Sequence, residues 1–215
     1  MEYTPQDTDY WVSRPGYDGH QDWRYEGVKD WIEGYKKSIG HAHREGILDA
    51  IDRLQPLGSL LEIGCSVGPN LHQIHQRFPR MRLVGIDPNE PAVEAAHEFV
   101  PGASVIVGDA RKLASTFEMK SFDVVLADAS LMYITPEEIE DVMDQIALVA
   151  KKAVIIVERD SKSKKGSVVG GVWGRDYETL LKERGFKVNK IKMEVSDWPL
   201  SENWQKHGYY YIAVR

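Results

Sequence analysis

The sequence predicts an α/β fold: a doubly wound, mostly parallel seven-stranded sheet with an antiparallel C-terminal hairpin strand, plus an aromatic-rich N-terminal helical extension. Three observations point there. Five short β-rich runs are apolar nearly throughout rather than alternating, as strands covered on both faces are. Helical segments separate them, with Pro near helix starts and acids in first turns, where capping and the macrodipole favour them. The chain ends in two strand-like runs without a crossover helix, and such a pair joins most simply as an antiparallel hairpin at the sheet edge.

In chain order, the first 35 residues hold Tyr3, Tyr10, Trp11, Tyr17, Trp23, Tyr25, Trp31 and Tyr35, eight of the 21 aromatics. Disordered tails are poor in aromatics, so this segment should pack on something. It is either a stabilising wrap or a lid whose rings wall a ligand pocket. Residues 1–37 are therefore set apart as a cap and 38–215 as the main domain, with a helix from about Gly27 to Leu54 leading into the first strand. The strands are "LGSLLEIG", "MRLVGID", "SVIVGD", "SFDVVLAD" and "KAVIIVER", alternating with the helical "PNLHQIHQRF", "NEPAVEAAHEF", "DARKLAST" and "TPEEIEDVMDQIALVAK". Then "DSKSKKGS" (160–167) reads as a mobile polar loop and "DYETLLKERGF" as a helix closed by Gly185. The final strands, "KVNKIKMEV" and "GYYYIAVR", flank "SDWPLSENWQKH", which has no helical period.

Composition narrows the function. At 215 residues the length suits one domain, and no apolar run approaches a membrane span of roughly 18 residues. The N-terminus lacks the basic and apolar regions of a secretory signal, and a lone cysteine, Cys65, can form no internal disulfide, so a cytoplasmic protein is expected. The net charge of −6 argues against a generally phosphate-seeking surface, yet residues 151–192 carry 12 Lys and Arg against 5 Asp and Glu. No aromatics interleave those lysines as a nucleic-acid stacking platform would require, and solvated faces are the simpler account.

In an open parallel sheet, ligands bind outside the carboxyl ends of the strands, where the first strand turns into its helix. The turn 62–70, "EIGCSVGPN", stands there: Gly64 and Gly68 allow a sharp bend and close backbone approach, and Pro69 presets the helix. Asp87 ends the second strand, 19 residues after Gly68, where a carboxylate can take both hydroxyls of a ribose. Asp109 with Ala110 ends the third strand and Ala127 with Asp128 the fourth; each acid alone could cap a helix, but their register around one crevice exceeds capping. A nucleoside ligand fits. Pyrophosphate fits poorly, because Ser66 replaces the second glycine of G-x-G-x-x-G and Pro69 lacks a donor N–H.

With Glu62, Gly64 and Gly68 in an acid-x-G-x-x-x-G arrangement and Asp87 after it, residues 38–215 resemble a class I S-adenosylmethionine-dependent methyltransferase, departing at Ser66 from that family's middle glycine. The resemblance implies S-adenosylmethionine as cofactor and S-adenosylhomocysteine as product. It implies a binding set of Glu62, Gly64, Cys65, Gly68, Asn70, Asp87, Pro88, Asp109, Ala110, Ala127 and Asp128. In it, the Gly64–Gly68 turn lies against the methionyl part, Asp87 on the ribose, Asp109 by the adenine amino group and Ala127–Asp128 beside the sulfonium. The closing antiparallel strand agrees with that family and not with a dehydrogenase half-sheet.

A sulfonium already activates its methyl group, so orientation can supply most of the catalysis and no residue is strictly required. For a hydroxyl or ammonium acceptor a base within reach would help, with His41, His43, Tyr133 and Glu158 as candidates; His41 and Tyr133 are taken as the catalytic pair. His72 and His75 lack a neighbouring carboxylate at helical spacing and read as solvated surface, with no metal. The sequence "ADASLMY" lacks the prolines of the Asn/Asp-Pro-Pro-aromatic motif of amino-methylating nucleic-acid enzymes, and Cys65 is a packing residue in the turn, not a nucleophile in a Pro-Cys setting. The first expectation is methyl transfer by in-line displacement to an O or N nucleophile of a small molecule, with nucleic acid and membrane not expected as partners. An RNA or protein methyltransferase using the basic stretch 159–192, and a non-catalytic S-adenosylmethionine-binding subunit, stay open beside it.

Overall fold

The computed structural model describes residues 7–15 and 30–215 of the chain. Helices α1 (Thr8–Ser13), α2 (Trp31–Lys37) and α3 (His43–Arg53) lead into an alternation of strand and helix. It runs β1 (Ser59–Ile63), α4 (Pro69–Arg77), β2 (Arg82–Asp87), α5 (Glu90–Phe99), β3 (Ala103–Val107), α6 (Leu113–Thr116), β4 (Phe122–Asp128), α7 (Ile139–Val149) and β5 (Ala150–Arg159). A two-stranded ribbon, β6 (Ser167–Val169) and β7 (Val172–Gly174), precedes α8 (Tyr177–Glu183), β8 (Lys187–Lys192), α9 (Glu202–His207) and β9 (Gly208–Val214).

The main sheet has seven strands in the order β3-β2-β1-β4-β5-β9-β8. The first five are parallel, and β9 lies antiparallel to both β5 and β8, so the expected closing hairpin is present and β8 forms the edge. Lys187, Lys190 and Lys192 stand on that edge, a charge pattern that discourages pairing with another sheet. The order reverses between β1 and β4, whose ends meet at Ile63 opposite Ala127. That reversal opens the crevice.

Alternation along the strands divides the core in two. Leu61, Ile63, Val125, Ala127, Val154 and Ile156 face one side, covered by Val142, Met143 and Ile146 of α7 and by Leu180 and Leu181 of α8. Leu60, Val124, Leu126, Ile155 and Val157 face the other, under Ile47 and Ile51 of α3, Leu71 and Ile74 of α4, and Val93 and Ala96 of α5. Each fully buried aliphatic chain contributes about 1.5–3 kcal/mol, which is why these runs are apolar on both faces.

Three sequence expectations are corrected. The helix foreseen over 27–54 breaks after α2: a 3₁₀ turn at Ser38–Gly40 follows, His41 is extended, and α3 starts anew; residues 27–29 lie outside the described ones. The segment 196–207 contains α9, six residues too short to show a period. Residues 160–167 are tied rather than open, with the Ser161 hydroxyl donating to the Gly174 carbonyl and the Gly166 N–H to the Ser163 hydroxyl.

Candidate functional site

The strands' carboxyl ends surround a cavity of about 500 Å³. Its floor begins with the β1–α4 turn, where Gly64 (φ 68°), Ser66 (φ 51°) and Gly68 (φ 83°) all take left-handed backbone. Glycine is required at 64 twice over, since a Cβ there would stand 2.4 Å from the Ser130 Cβ. The N–H groups of Gly64 and Cys65 both donate to the Ile86 carbonyl at 2.8 and 3.0 Å, fastening the turn to β2. Cys65 is buried beneath it, and burial pushes its thiol well above the usual range, so the residue packs rather than reacts.

Four carboxylates sit around this turn, each fixed differently. Burial lifts Glu62, 2% exposed, to a pKa of about 8, although Asn70 Nδ2 donates to its Oε1 at 2.7 Å; Oε2 has no partner. Burial also lifts Asp87, to about 6, against the two backbone N–H groups it accepts, Ser66 at 2.8 Å and Asn89 at 2.9 Å. For Asp128 burial is outweighed: the His43 ring, Arg44 and Asn70 hold it near 2, and Oδ1 stays without a partner. Glu158 is fully buried and lifted to about 8 by burial, while its Oε1 accepts the N–H groups of Ser130, Leu131 and Met132 at 2.8, 2.6 and 3.3 Å.

One wall is a relay of rings. His43 Nε2 bonds Asp128 Oδ2 at 2.9 Å, and His43 Nδ1 meets His41 Nδ1 at 2.6 Å. Trp198 stacks on His43 at 4.4 Å and on Trp204 at 4.1 Å, and Arg159 lies 5.1 Å over the Trp204 ring. Arg44 joins the group by donating to Asn70 Oδ1 at 2.5 Å and to the Ser38 carbonyl and hydroxyl. The opposite wall comes from the N-terminal segment: Trp11, Trp31 and Tyr35, with Trp11 edge-on to Tyr133 at 5.2 Å. Asn89 clamps that segment, its Nδ2 donating to the carbonyls of Trp11 and Arg14. Burial drives the Tyr133 phenol far above its ordinary value, so it stays protonated.

Of the residues singled out from sequence, His41, Glu62, Gly64, Cys65, Asn70, Asp87, Pro88, Ala110, Asp128 and Tyr133 line the cavity. Gly68, Asp109 and Ala127 do not. Gly68 caps α4 behind the turn, Ala127 is in the core, and the Asp109 carboxylate is taken by Arg111 through Nε and Nη2. His43, Arg44, Arg159, Trp198 and Trp204 line the cavity unforeseen as a set; only the adjacency of His41 and His43 hinted at them. His72 and His75 are not open surface residues, since His72 stacks on Phe99 at 4.9 Å and the His75 ring occupies the space beside Gly102.

Part of the basic stretch is paired with acids. Lys164 pairs with Glu183 and Glu140, Lys190 with Asp160, Arg184 with Glu140 and Asp144, and Lys182 with Glu178. Arg175 is fully buried, donating to the carbonyls of Lys165, Leu131 and Ile134. Its charge braces the fold.

Residues 60–153 match the methyltransferase domain family. Across 159 residues the chain is 27% identical to an uncharacterized methyltransferase of Schizosaccharomyces pombe, covering 62% of this chain and 60% of that one. It is 25% identical over 105 residues to trans-aconitate 2-methyltransferase of Escherichia coli, covering 49% and 40%. The chain thus spans well under two thirds of these curated relatives. Its fold matches magnesium protoporphyrin IX methyltransferase of Synechocystis with bound S-adenosylmethionine, TM-score 0.67 at 16% identity, over 97% of this chain and 94% of that one.

Proposed function

We propose that the chain is a class I S-adenosylmethionine-dependent methyltransferase that moves a methyl group from that cofactor to an O or N nucleophile of a small molecule. One observation carries the cofactor assignment. Glu62 Oε2 and Asp128 Oδ1 are buried acceptors without partners beside the left-handed turn, the donor-seeking surroundings that a methionyl ammonium supplies. The Asp87 oxygens each accept a single backbone N–H and keep lone pairs for ribose hydroxyls, while Pro88 and Ala110 give apolar surface for an adenine.

When bound, the cofactor supplies an electrophilic methyl on a sulfonium. This chain's residues then orient the acceptor, exclude water and take its proton. With a proton on His43 Nε2 directed at Asp128, His43 Nδ1 accepts from His41 Nδ1–H, which fixes the tautomer of the His41 ring. That arrangement suits His41 as the general base, with His43 and Asp128 fixing its tautomer. Tyr133, kept protonated, serves as wall and hydroxyl donor rather than base. Residues 1–37 act as a cap on the 38–215 domain, bringing Trp11, Trp31 and Tyr35 to the mouth. Four of the 159–192 cations, Lys164, Lys182, Arg184 and Lys190, are engaged by acids, which supports a small acceptor over RNA.

Calorimetric titration with S-adenosylmethionine, S-adenosylhomocysteine and NAD tests the assignment. Micromolar binding of the first two and none of NAD is expected; NAD binding alone would sink it. Methyl transfer to no acceptor despite tight cofactor binding would return the chain to a non-catalytic binding role.

A further inference from the structure

We infer that the acceptor is a carboxylate that docks on Arg159, with its nucleophilic hydroxyl or amine at the far end of the wall beside His41; this rests on the methyltransferase reading above. Arg159 ends β5 and is 9% exposed, yet it lines the cavity. Among the described residues it has no carboxylate partner. Only Nη1 is engaged, donating to the carbonyls of Val169 at 2.9 Å and Gly170 at 3.1 Å, and Nε has no partner at all. Burial lowers its affinity for its own proton.

Among the described residues, the other buried or half-buried arginines have partners. Arg44 lies 3.4 Å from Asp128, Arg111 grips Asp109 and Glu138, and Arg175 spends its donors on three carbonyls. The neighbouring Glu158 does not neutralise Arg159: successive strand residues face opposite sides, and Glu158, with its pKa near 8, is mostly protonated at pH 7. A buried guanidinium costs several kcal/mol unless paired. The fold nonetheless builds a holder for it. Gly170 and Gly171 turn the β6–β7 ribbon in left-handed backbone, and a Cβ on Gly170 would stand 2.9 Å from Arg159 Nη1, so only glycine lets this carbonyl reach the cation. The planar fork, with its Nε buried and unpartnered, matches a carboxylate.

An aromatic stack leads from this anchor to the proposed base. The Arg159 plane rests on Trp204, Trp204 stacks on Trp198 with an interplanar angle of 5°, and Trp198 lies 4.6 Å from His41. An acid lying along the edges of this stack reaches from the cation toward the proposed base. The carboxylate acts as the anchor, since pairing with a guanidinium withdraws its nucleophilicity, and the methyl goes to the hydroxyl or amine, whose proton passes to His41.

The test uses the full chain saturated with S-adenosylhomocysteine, titrated with 3- and 4-hydroxybenzoate and 4-hydroxycinnamate and with the carboxamide of each, read by calorimetry and tryptophan quenching. At least tenfold tighter binding of the acids is expected, lost in Arg159→Gln and partly kept in Arg159→Lys, which has the charge without the fork. The Lys variant also carries the test should Gln prevent folding. Equal binding of acid and amide, or a preference that survives Arg159→Gln, overturns the proposal. So does failure of every acid to bind at about 10 mM, weaker than a fragment of this size should be held. Loss of S-adenosylhomocysteine affinity in Arg159→Gln would assign the cation to the cofactor's carboxylate instead. Absence of S-adenosylhomocysteine binding in the wild type marks failure of the methyltransferase reading itself.

Discussion

In the proposed cofactor site, protons would link Glu62 and Asp87 to the ligand. Both carboxyls are held above their ordinary range by burial, Glu62 near 8 and Asp87 near 6, so at pH 7 the pair carries a proton that a cationic ligand must displace. The sign follows: cofactor affinity rises with pH through the interval from about 6 to 8 and then levels off. Calorimetry at pH 7 in buffers of differing ionisation enthalpy should reveal proton release, and Glu62→Gln should remove most of it. Asp87→Ala should weaken binding by about 1.5–3 kcal/mol, the loss of charge-assisted hydrogen bonds. At the base, His41→Gln and His43→Ala should each lower kcat by roughly 10²-fold with unchanged S-adenosylhomocysteine affinity, and the acidic limb of the pH–rate profile should flatten. An equal fall in cofactor affinity would make the pair structural. Glycines, Asp87 and Asp128 were legible because strand ends announce themselves, and His43 was among the candidate bases; Arg44, Arg159 and Trp198 were not legible, since no spacing rule links α3, β5 and the loop before α9.

Glu158 acts on an element rather than on a ligand. Its single oxygen gathers the N–H groups that open the 3₁₀ turn at Leu131–Tyr133, which carries Tyr133 into the cavity wall. A folded pKa raised from 4.5 to about 8 means its contribution is present in full below about 4.5 and is lost as pH rises through 8. Glu158→Gln keeps the acceptor and removes this dependence, so urea midpoints of variant and wild type should diverge above pH 8, with the variant the more stable. Glu158→Ala leaves those donors stranded and should cost about 3 kcal/mol. Gly64→Ala should be worse, because it joins left-handed strain to a collision with Ser130; retained stability would show that the turn can relax. Short elements such as α9 and the β6–β7 ribbon escaped the sequence because six residues or three do not establish a period.

Across the whole molecule, the N-terminal segment closes one side of the cavity while hanging on Asn89, the residue whose N–H also serves Asp87. Removing residues 1–26 should therefore raise acceptor KM and depress turnover strongly, with a smaller, few-fold loss of cofactor affinity; unaltered turnover would reduce the segment to a wrap. By itself the sequence determined the parallel sheet, its antiparallel closure and the place of the glycine turn, because burial on both faces writes itself into continuous apolar runs and local backbone demands select Gly and Pro. Only the tertiary structure decided which carboxylates face the cavity, that Asp109 belongs to Arg111, and that Arg159 stands at the end of a tryptophan wall. Those outcomes depend on pairing between residues distant in sequence, and a charge without its partner is visible only once the chain has folded around it.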